Sequence, residues 1–265
     1  MSDYREVQHG FDMLAKFFSS DSPGLAAFCE ALNASAPGAA QEAINLFNQW
    51  WKIIRFHTYI ASISEHDSTE DLHGRLSMWR VIGNNTARVA LVIKIPRFSG
   101  AANALNLMFS PVAHLREDEV HGALNDVIKN IGLNVDFLGS IGRQKLIEAV
   151  FVMLRAGVTC LKHEGFREER EWRAIYTPMP HQSPLMEAET KVIAGVPQIV
   201  YKVPLDVAVS DALADLDLSR MFDRLIIGPS PYPCVMYEAF TEALRKAGVE
   251  EAERRVFTSC IPIRS

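Results

Sequence analysis

The sequence predicts an α+β fold formed by a single domain, residues 1–265. Helical patterns cluster in the first third, residues 1–55, and again in the middle of the chain. Strand patterns lie around and after them, in a sheet-containing core over 56–265. Hydrophobic residues make up 48% of the chain and charged residues 22%, which is ordinary for a globular protein with a real core. No internal repeat and no clear boundary divides the chain, so one domain is expected.

Three helices are predicted in the first third. In "YREVQHGFDMLAKFF" four apolar residues share one helical face: Val7, Phe11, Leu14 and Phe18. A second helix begins near Ser22, a good N-cap, and Pro23, which suits a first turn. A third helix is predicted in "AAQEAINLFNQWWKII".

The middle of the chain alternates between the two kinds of element. Strands are predicted in "HTYIASIS", "ARVALVIKIP" and "LNLMFSPVAHL", which are rich in β-branched and aromatic residues. A short helix or turn is expected in "RLSMWRVIG". Amphipathic helices are predicted in "EDEVHGALNDVIKNIG" and "RQKLIEAVFVMLRAG".

The last third is predicted to be mostly strand. "FREEREWRAIY" has the alternation of a strand, and "TKVIAGV" with "QIVYKVPL" forms a hairpin or two neighbouring strands. "RLIIGP" is a strand that stops at Gly228. The helix "VMYEAFTEALRKAG" ends at Gly248, and "RRVFTSCIPI" closes the chain as a strand.

The net charge and the cysteine content limit the classes of protein to which the chain can belong. The net charge of -5 argues against a broad nucleic-acid footprint. No apolar run is long enough to span a bilayer, and "MSDYREVQHG" lacks the features of a signal peptide. The four cysteines are far apart, and the histidines do not cluster with them at ligand spacing. These observations predict a cytoplasmic protein with reduced thiols, without a metal site or membrane partner.

The charged strand "FREEREWRAIY" is the first candidate for chemistry. Alternation along a strand places Glu169, Glu171 and Arg173 on one face, and the opposite face, with Trp172, is expected to enter the core. Paired carboxylates suit acid/base work or the stabilisation of a cationic transition state. The structural alternative is a half-exposed face whose charges pair with neighbouring strands.

Two further stretches carry candidate ligand-binding residues. Ser62 and Ser64 alternate on a predicted strand, where hydroxyls hydrogen-bond a ligand or orient a carboxylate, or simply occupy a wet face. Trp79 is either a stacking wall for a planar ligand or a buried core indole. A metal-dependent hydrolase or nuclease using Glu169, Glu171 and Lys162 stays open as an alternative.

The chain resembles a bacterial family of proteins, domain of unknown function 2971. The resemblance lies in "TYIASISEHDSTEDLHGRLSMWRVIG", "LKHEGFREEREWRAIY", "RLIIGPS" and "VFTSCIPIR", which are distributed so that the match spans most of the chain. Members share a Ser-x-Ser strand, a following Trp, a Lys and Phe leading into Glu-x-Glu-Trp-Arg, and a closing Ser-x-Ile-Pro segment.

A more remote similarity is to ADP-ribosyltransferases, which also carry a Ser-x-Ser strand and a later Glu-x-Glu strand. It implies a mixed, mainly antiparallel split sheet with N-terminal and central helices. It also implies NAD as substrate, with Glu171 catalytic and Glu169 assisting the acceptor nucleophile. Ser62, Ser64, Trp79 and Arg173 would hold the nucleotide or orient the glutamate.

The resulting expectation is an ADP-ribosyltransferase-like protein that binds NAD or a related nucleotide, as a transferase or NAD glycohydrolase. A role as a toxin or phage-defence effector would suit that chemistry, with a protein or nucleic acid as acceptor. The alternative is a non-catalytic binding module of the same fold that lacks the cofactor strand, because no basic first strand precedes the helical start.

Overall fold

The computed structural model describes residues 4–81, 88–95, 99–179, 181–193 and 195–262. The helices are α1 Tyr4–Phe17, α2 Pro23–Asn33, α3 Ala39–Phe56, α4 Leu76–Val81, α5 Ser99–Leu105, α6 Glu117–Leu133, α7 Val135–Ser140, α8 Arg143–Cys160, α9 Leu218–Met221 and α10 Pro233–Lys246. The strands are β1 Tyr59–Ser64, β2 Val89–Ile93, β3 Leu107–Pro111, β4 Ala113–His114, β5 Leu161–Lys162, β6 Glu171–Tyr176, β7 Glu187–Ile193, β8 Val196–Lys202, β9 Phe222–Ile227 and β10 Val256–Thr258. The fold is mixed α+β, with small and mostly antiparallel sheets.

Contacts along the chain define two compact units whose segments interleave. The first unit comprises residues 1–63, 106–182 and 190–200, and the second comprises 64–105, 183–189 and 201–265. The prediction of one domain stays a prediction. Some ends of predicted elements, at residues 82–83, 87, 96 and 263, lie outside the described residues.

The first unit is built on a helical core. α1, α2, α3, α6 and α8 bury a continuous apolar cluster that includes Val7, Leu14, Phe28 and Leu154. Val7 and Leu14 are two of the four residues predicted for the apolar face of α1. Ser22 caps α2 by accepting a hydrogen bond from the backbone of Gly24 at 3.1 Å, as the sequence predicts.

Two small sheets of the first unit carry the residues of interest. One has the strand order β1-β6-β3, with β3 and β6 antiparallel. The other pairs β4 with β5 in parallel, and His114 lies opposite Lys162. Because α8 passes directly into β5, the packing of α8 fixes the position of Lys162.

The strand predicted in "FREEREWRAIY" begins later than expected. Residues Glu164–Glu169 form a 3₁₀ turn, and Arg170 adopts a left-handed backbone conformation with φ 45°. The strand starts at Glu171, so the prediction that Glu169 shares its face is wrong. Glu169 ends the turn instead, because the left-handed residue reverses the chain just before the strand.

The faces of β6 are also the reverse of the predicted ones. Glu171, Arg173 and Ile175 are buried, whereas Trp172 and Ala174 are half-buried. The charged face enters the interior because Glu171 and Arg173 neutralise each other there. Trp172 stacks on Phe109 of the neighbouring strand, with ring centroids 5.2 Å apart.

The second unit contains a three-stranded sheet of order β10-β9-β2. β10 and β9 are parallel, and β2 and β9 are antiparallel. α10 covers this sheet, with Met236, Tyr237 and Phe240 packed against a core that includes Leu225 and Val256.

β7 and β8 pair with each other across a two-residue connection, as the predicted hairpin requires.

Candidate functional site

A buried carboxylate, Glu171, is the centre of a charged cluster in the first unit. Its exposed fraction is 4%, and its two oxygens accept hydrogen bonds from three side chains. Ser62 Oγ donates to Oε1 at 2.5 Å, Arg173 Nε donates to Oε1 at 2.8 Å, and Lys162 Nζ donates to Oε2 at 2.8 Å. Three strands, β1, β5 and β6, therefore contribute side chains to this one carboxylate site.

Lys162 joins the two glutamates. Its ammonium group lies 2.7 Å from Glu169 Oε2 as well as 2.8 Å from Glu171 Oε2. Lys162 occupies the space between the carboxylates, where a metal ion shared by both would have to lie. Among the described residues, no group of three or more His, Cys, Asp and Glu side chains could hold a metal ion.

Arg173 is completely buried and serves as the anchor of the cluster. Its Nη1 donates to the carbonyl oxygen of Thr159 at 2.6 Å, near the C-terminal end of α8. The guanidinium group therefore links β6, which carries Glu171, to the helix that leads into Lys162. Arg173 orients the carboxylate and is itself enclosed by protein.

The electrostatic balance leaves Glu171 ionised. Burial opposes the charged form, but hydrogen bonds from Arg173, Lys162 and Ser62 outweigh it and lower the pKa of Glu171 to about 2. At neutral pH this carboxylate is an anion. Its chemistry is therefore electrostatic stabilisation of positive charge, since a group with this pKa holds no proton to donate.

The cluster reaches solvent on the side of β1. Ser62 is exposed, and the side chain of Glu169 is 25% exposed. The Phe166 ring is 48% exposed and lies near Lys162, whose Nζ is 4.8 Å from the ring centroid. A hydroxyl, a carboxylate and an aromatic ring around the cluster are thus at least partly exposed.

His114 lies next to the cluster, and the sequence did not predict this position. It lies opposite Lys162 in the β4–β5 pair and is 8% exposed, and its buried Nε2 atom has no hydrogen-bond partner among the described residues. Burial, and then the charge of Lys162, lower the pKa of His114, so the imidazole is neutral at physiological pH. The signal in the sequence, a single histidine at the end of an apolar stretch, is too common to identify it.

The remaining predicted site residues belong to the second unit. Ser64 accepts a hydrogen bond from Arg75 Nη1 at 2.8 Å. Trp79 is 4% exposed and donates from Nε1 to the carbonyl oxygen of His73 at 2.7 Å. The ring of Trp79 packs against Gly228, so the indole forms part of the interior of that unit. The cluster of the first unit therefore comprises Ser62, Glu169, Glu171 and Arg173 from the prediction, together with Lys162.

Comparisons with known proteins return no match. No protein-family model matches the chain, and neither a curated protein nor a solved structure shows significant similarity to it. The resemblances to family 2971 and to ADP-ribosyltransferases stay predictions. None of the described helices has the length and apolar character needed to cross a membrane.

Proposed function

We propose that the chain is an ADP-ribosyltransferase-like protein that binds NAD or a related nucleotide at the Glu171 cluster. The observation that carries the proposal is the hydrogen bond from Ser62 to Glu171, between the Ser-x-Ser strand and the Glu-x-Glu segment. The strands β1 and β6 that bear these residues are neighbours in one sheet. A serine that orients an ionised glutamate is the relation that the resemblance implies.

The exposed part of the cluster fits a nucleotide ligand. The hydroxyl of Ser62 and the carboxylate of Glu169 suit the hydroxyl groups of a ribose, and the half-exposed ring of Phe166 suits a planar base. A ribose hydroxyl that replaces the Ser62 hydrogen bond would contact Glu171 directly. The residues present therefore offer contacts for both the sugar and a ring.

Glu171 would act through its negative charge. When bound, NAD supplies a glycosidic bond whose cleavage releases nicotinamide with the bonding electron pair and leaves positive charge on the ribose. The ionised Glu171 stabilises that charge more in the transition state than in the ground state. Glu169 accepts the proton of the attacking hydroxyl or amine as the new bond forms. Lys162 bridges the two carboxylates, and Arg173 holds Glu171 in place.

Nicotinamide release from NAD by the full chain tests the proposal. We expect Ser62→Ala to slow release by about 10- to 100-fold, because Glu171 loses its orienting contact. We expect Glu169→Gln to slow it as well. The matched controls are Ser140→Ala and Glu148→Gln, at exposed positions on α7 and α8, and these should leave the rate unchanged. Absence of both NAD binding and release in the wild-type chain would overturn the proposal.

A second candidate, a non-catalytic binding module, is favoured by the saturation of Glu171. Its oxygens already accept hydrogen bonds from three side chains, and only 4% of the residue is exposed. A protein of this kind would bind the nucleotide without cleaving it. Saturable NAD binding that is weakened by Ser62→Ala, with no nicotinamide release, would establish this second function.

A further inference from the structure

A basic cavity lies within the second unit, apart from the residues already discussed. Its volume is about 350 Å³, and its lining includes Lys94, Arg220, Asp223, Arg224, Arg254 and Arg255. Five cationic side chains thus surround one carboxylate, in a chain whose net charge is -5. Such a concentration of positive charge costs stability unless an anion offsets it.

The topology of the sheet explains why these residues meet. β9 and β10 are parallel, so both strands begin at the same edge of the sheet. Arg220 lies on α9 just before β9, and Arg254 and Arg255 lie just before β10. The residues that precede the two parallel strands therefore meet at one edge of the sheet, where they line the cavity.

Acidic neighbours offset only part of the charge. Asp223 lies 2.9 Å from Lys94 Nζ and 2.7 Å from Arg224 Nε. Arg224 also pairs with Asp71 at 3.1 Å, and Arg254 pairs with Glu251 at 2.8 Å. Asp217 is a fourth acidic neighbour, because the hydrogen bonds from Ser219 and the positive charge of Arg220 lower its pKa. Counting these four carboxylates, the five cations keep an excess of one positive charge.

Two arginines of the cavity form no ion pair within the described part of the chain. Within the part of the chain that the structure describes, the side chain of Arg220 forms no hydrogen bond or ion pair. The guanidinium of Arg255 donates from Nη1 to the carbonyl oxygen of Phe222 at 3.2 Å and has no acidic partner there. Guanidinium groups of this kind bind phosphate through paired N–H donors.

An aromatic wall completes the cavity. The guanidinium carbon of Arg224 lies 5.3 Å from the ring centroid of Phe257, and both residues line the cavity. A guanidinium over an aromatic ring offers a surface on which a planar base stacks. The volume suits one small molecule at the lower end of ligand pockets.

We infer that this cavity binds the phosphates of a nucleoside di- or triphosphate. Arg220 and Arg255 contact the phosphates, and the Arg224–Phe257 surface contacts the base. The site is independent of the Glu171 cluster and does not rest on the function proposed there. The excess of positive charge favours a ligand that carries phosphate charges and disfavours a neutral one.

Calorimetric titration of the full chain with ADP at low salt tests this inference. We expect saturable binding that Arg220→Gln weakens about tenfold or more, because one charge-assisted contact is lost. Lys246→Gln removes an equal charge from an exposed position on α10 and should change the affinity less than twofold. Pyrophosphate should compete with ADP, and adenosine should not bind detectably.

Several results would overturn the inference. They are the absence of saturable ADP binding to the wild-type chain, equal effects of the two variants, or binding of adenosine as tight as that of ADP. Binding of a single-stranded oligonucleotide without binding of ADP would also overturn it, in favour of a nucleic-acid site. Arg220→Gln should weaken ADP binding and leave nicotinamide release unchanged, so failure of one proposal is distinguishable from failure of the other.

Discussion

Glu171 shows how hydrogen bonds outweigh desolvation at a single residue. A carboxylate that is 4% exposed would be neutral if it were alone, because burial disfavours the charged form. Two cationic groups and a hydroxyl reverse that preference. The buried Lys162 and Arg173 depend on Glu171 in turn, so the three charges form one unit.

Removing the charge of Glu171 should therefore destabilise the protein strongly. We expect Glu171→Gln to lower the free energy of unfolding by about 3–5 kcal/mol, because Lys162 and Arg173 remain buried without their counter-charge. Urea unfolding at pH 7 measures the change. The exposed control Glu148→Gln should stay within about 0.5 kcal/mol of the wild type. A loss below about 1 kcal/mol for Glu171→Gln would show that the cluster is not buried as described.

The same carboxylate should make stability depend on pH in the acid range. Its pKa is about 2 in the folded chain and about 4.3 in an unfolded one. The stabilisation is therefore complete above about pH 5 and disappears as the pH falls to 2, by about 3 kcal/mol in all. Urea unfolding of the wild type and Glu171→Gln should show a difference that is about 1.5–2 kcal/mol smaller at pH 3 than at pH 7. A constant difference over that range would contradict the low pKa.

At the scale of elements, α8 is the support of the site. It supplies the Thr159 carbonyl group to Arg173 and continues into β5, which carries Lys162. α1 packs closely on α8 at Gly10, where an added Cβ would lie 2.3 Å from the Val158 carbonyl oxygen. The absence of a side chain at Gly10 therefore permits the close approach of the two helices.

A methyl group at this contact should be destabilising. We expect Gly10→Ala to lower the free energy of unfolding by about 1–3 kcal/mol, because α1 must move away from α8. Gly122→Ala is the control, since a Cβ there meets nothing within 4 Å and alanine favours the helix. It should raise stability by about 0.5–1 kcal/mol. Chemical denaturation of both variants checks the pair, and equal effects would contradict the close approach.

Local patterns were sufficient to predict most elements. The face of α1, the cap of α2, the hairpin β7–β8 and the strands β2 and β9 follow from periodicity and capping residues alone. The short helices α5, α7 and α9 were not predicted, because pieces of four to seven residues carry too little periodicity.

The site was predictable in part. Alternation identified Glu171 and Arg173 as one face, but not that the face is buried, because burial depends on partners far along the chain. Lys162 binds both glutamates from a strand that follows a helix, and spacing did not reveal this role. Arg170 adopts a left-handed conformation that side-chain patterns do not encode.

At the scale of the whole molecule, the two units interleave along the sequence but each contains a separate candidate site. The first holds the Glu171 cluster, and the second holds the basic cavity. For a substitution in one unit, ligand binding to the other unit can therefore serve as the control measurement. This separation makes the account of the first unit testable by itself.

Carbon-13 NMR of the glutamate carboxyl groups tests the central claim most directly. One glutamate carboxyl resonance should keep the chemical shift of the ionised form down to about pH 3. A change of this shift in Ser62→Ala should assign the resonance to Glu171. We predict that saturating NAD moves this resonance and leaves the carboxyl resonance of Glu148, on the exposed face of α8, unchanged. A Glu171 resonance that does not move at saturating NAD would contradict the claim that this carboxylate forms the nucleotide site.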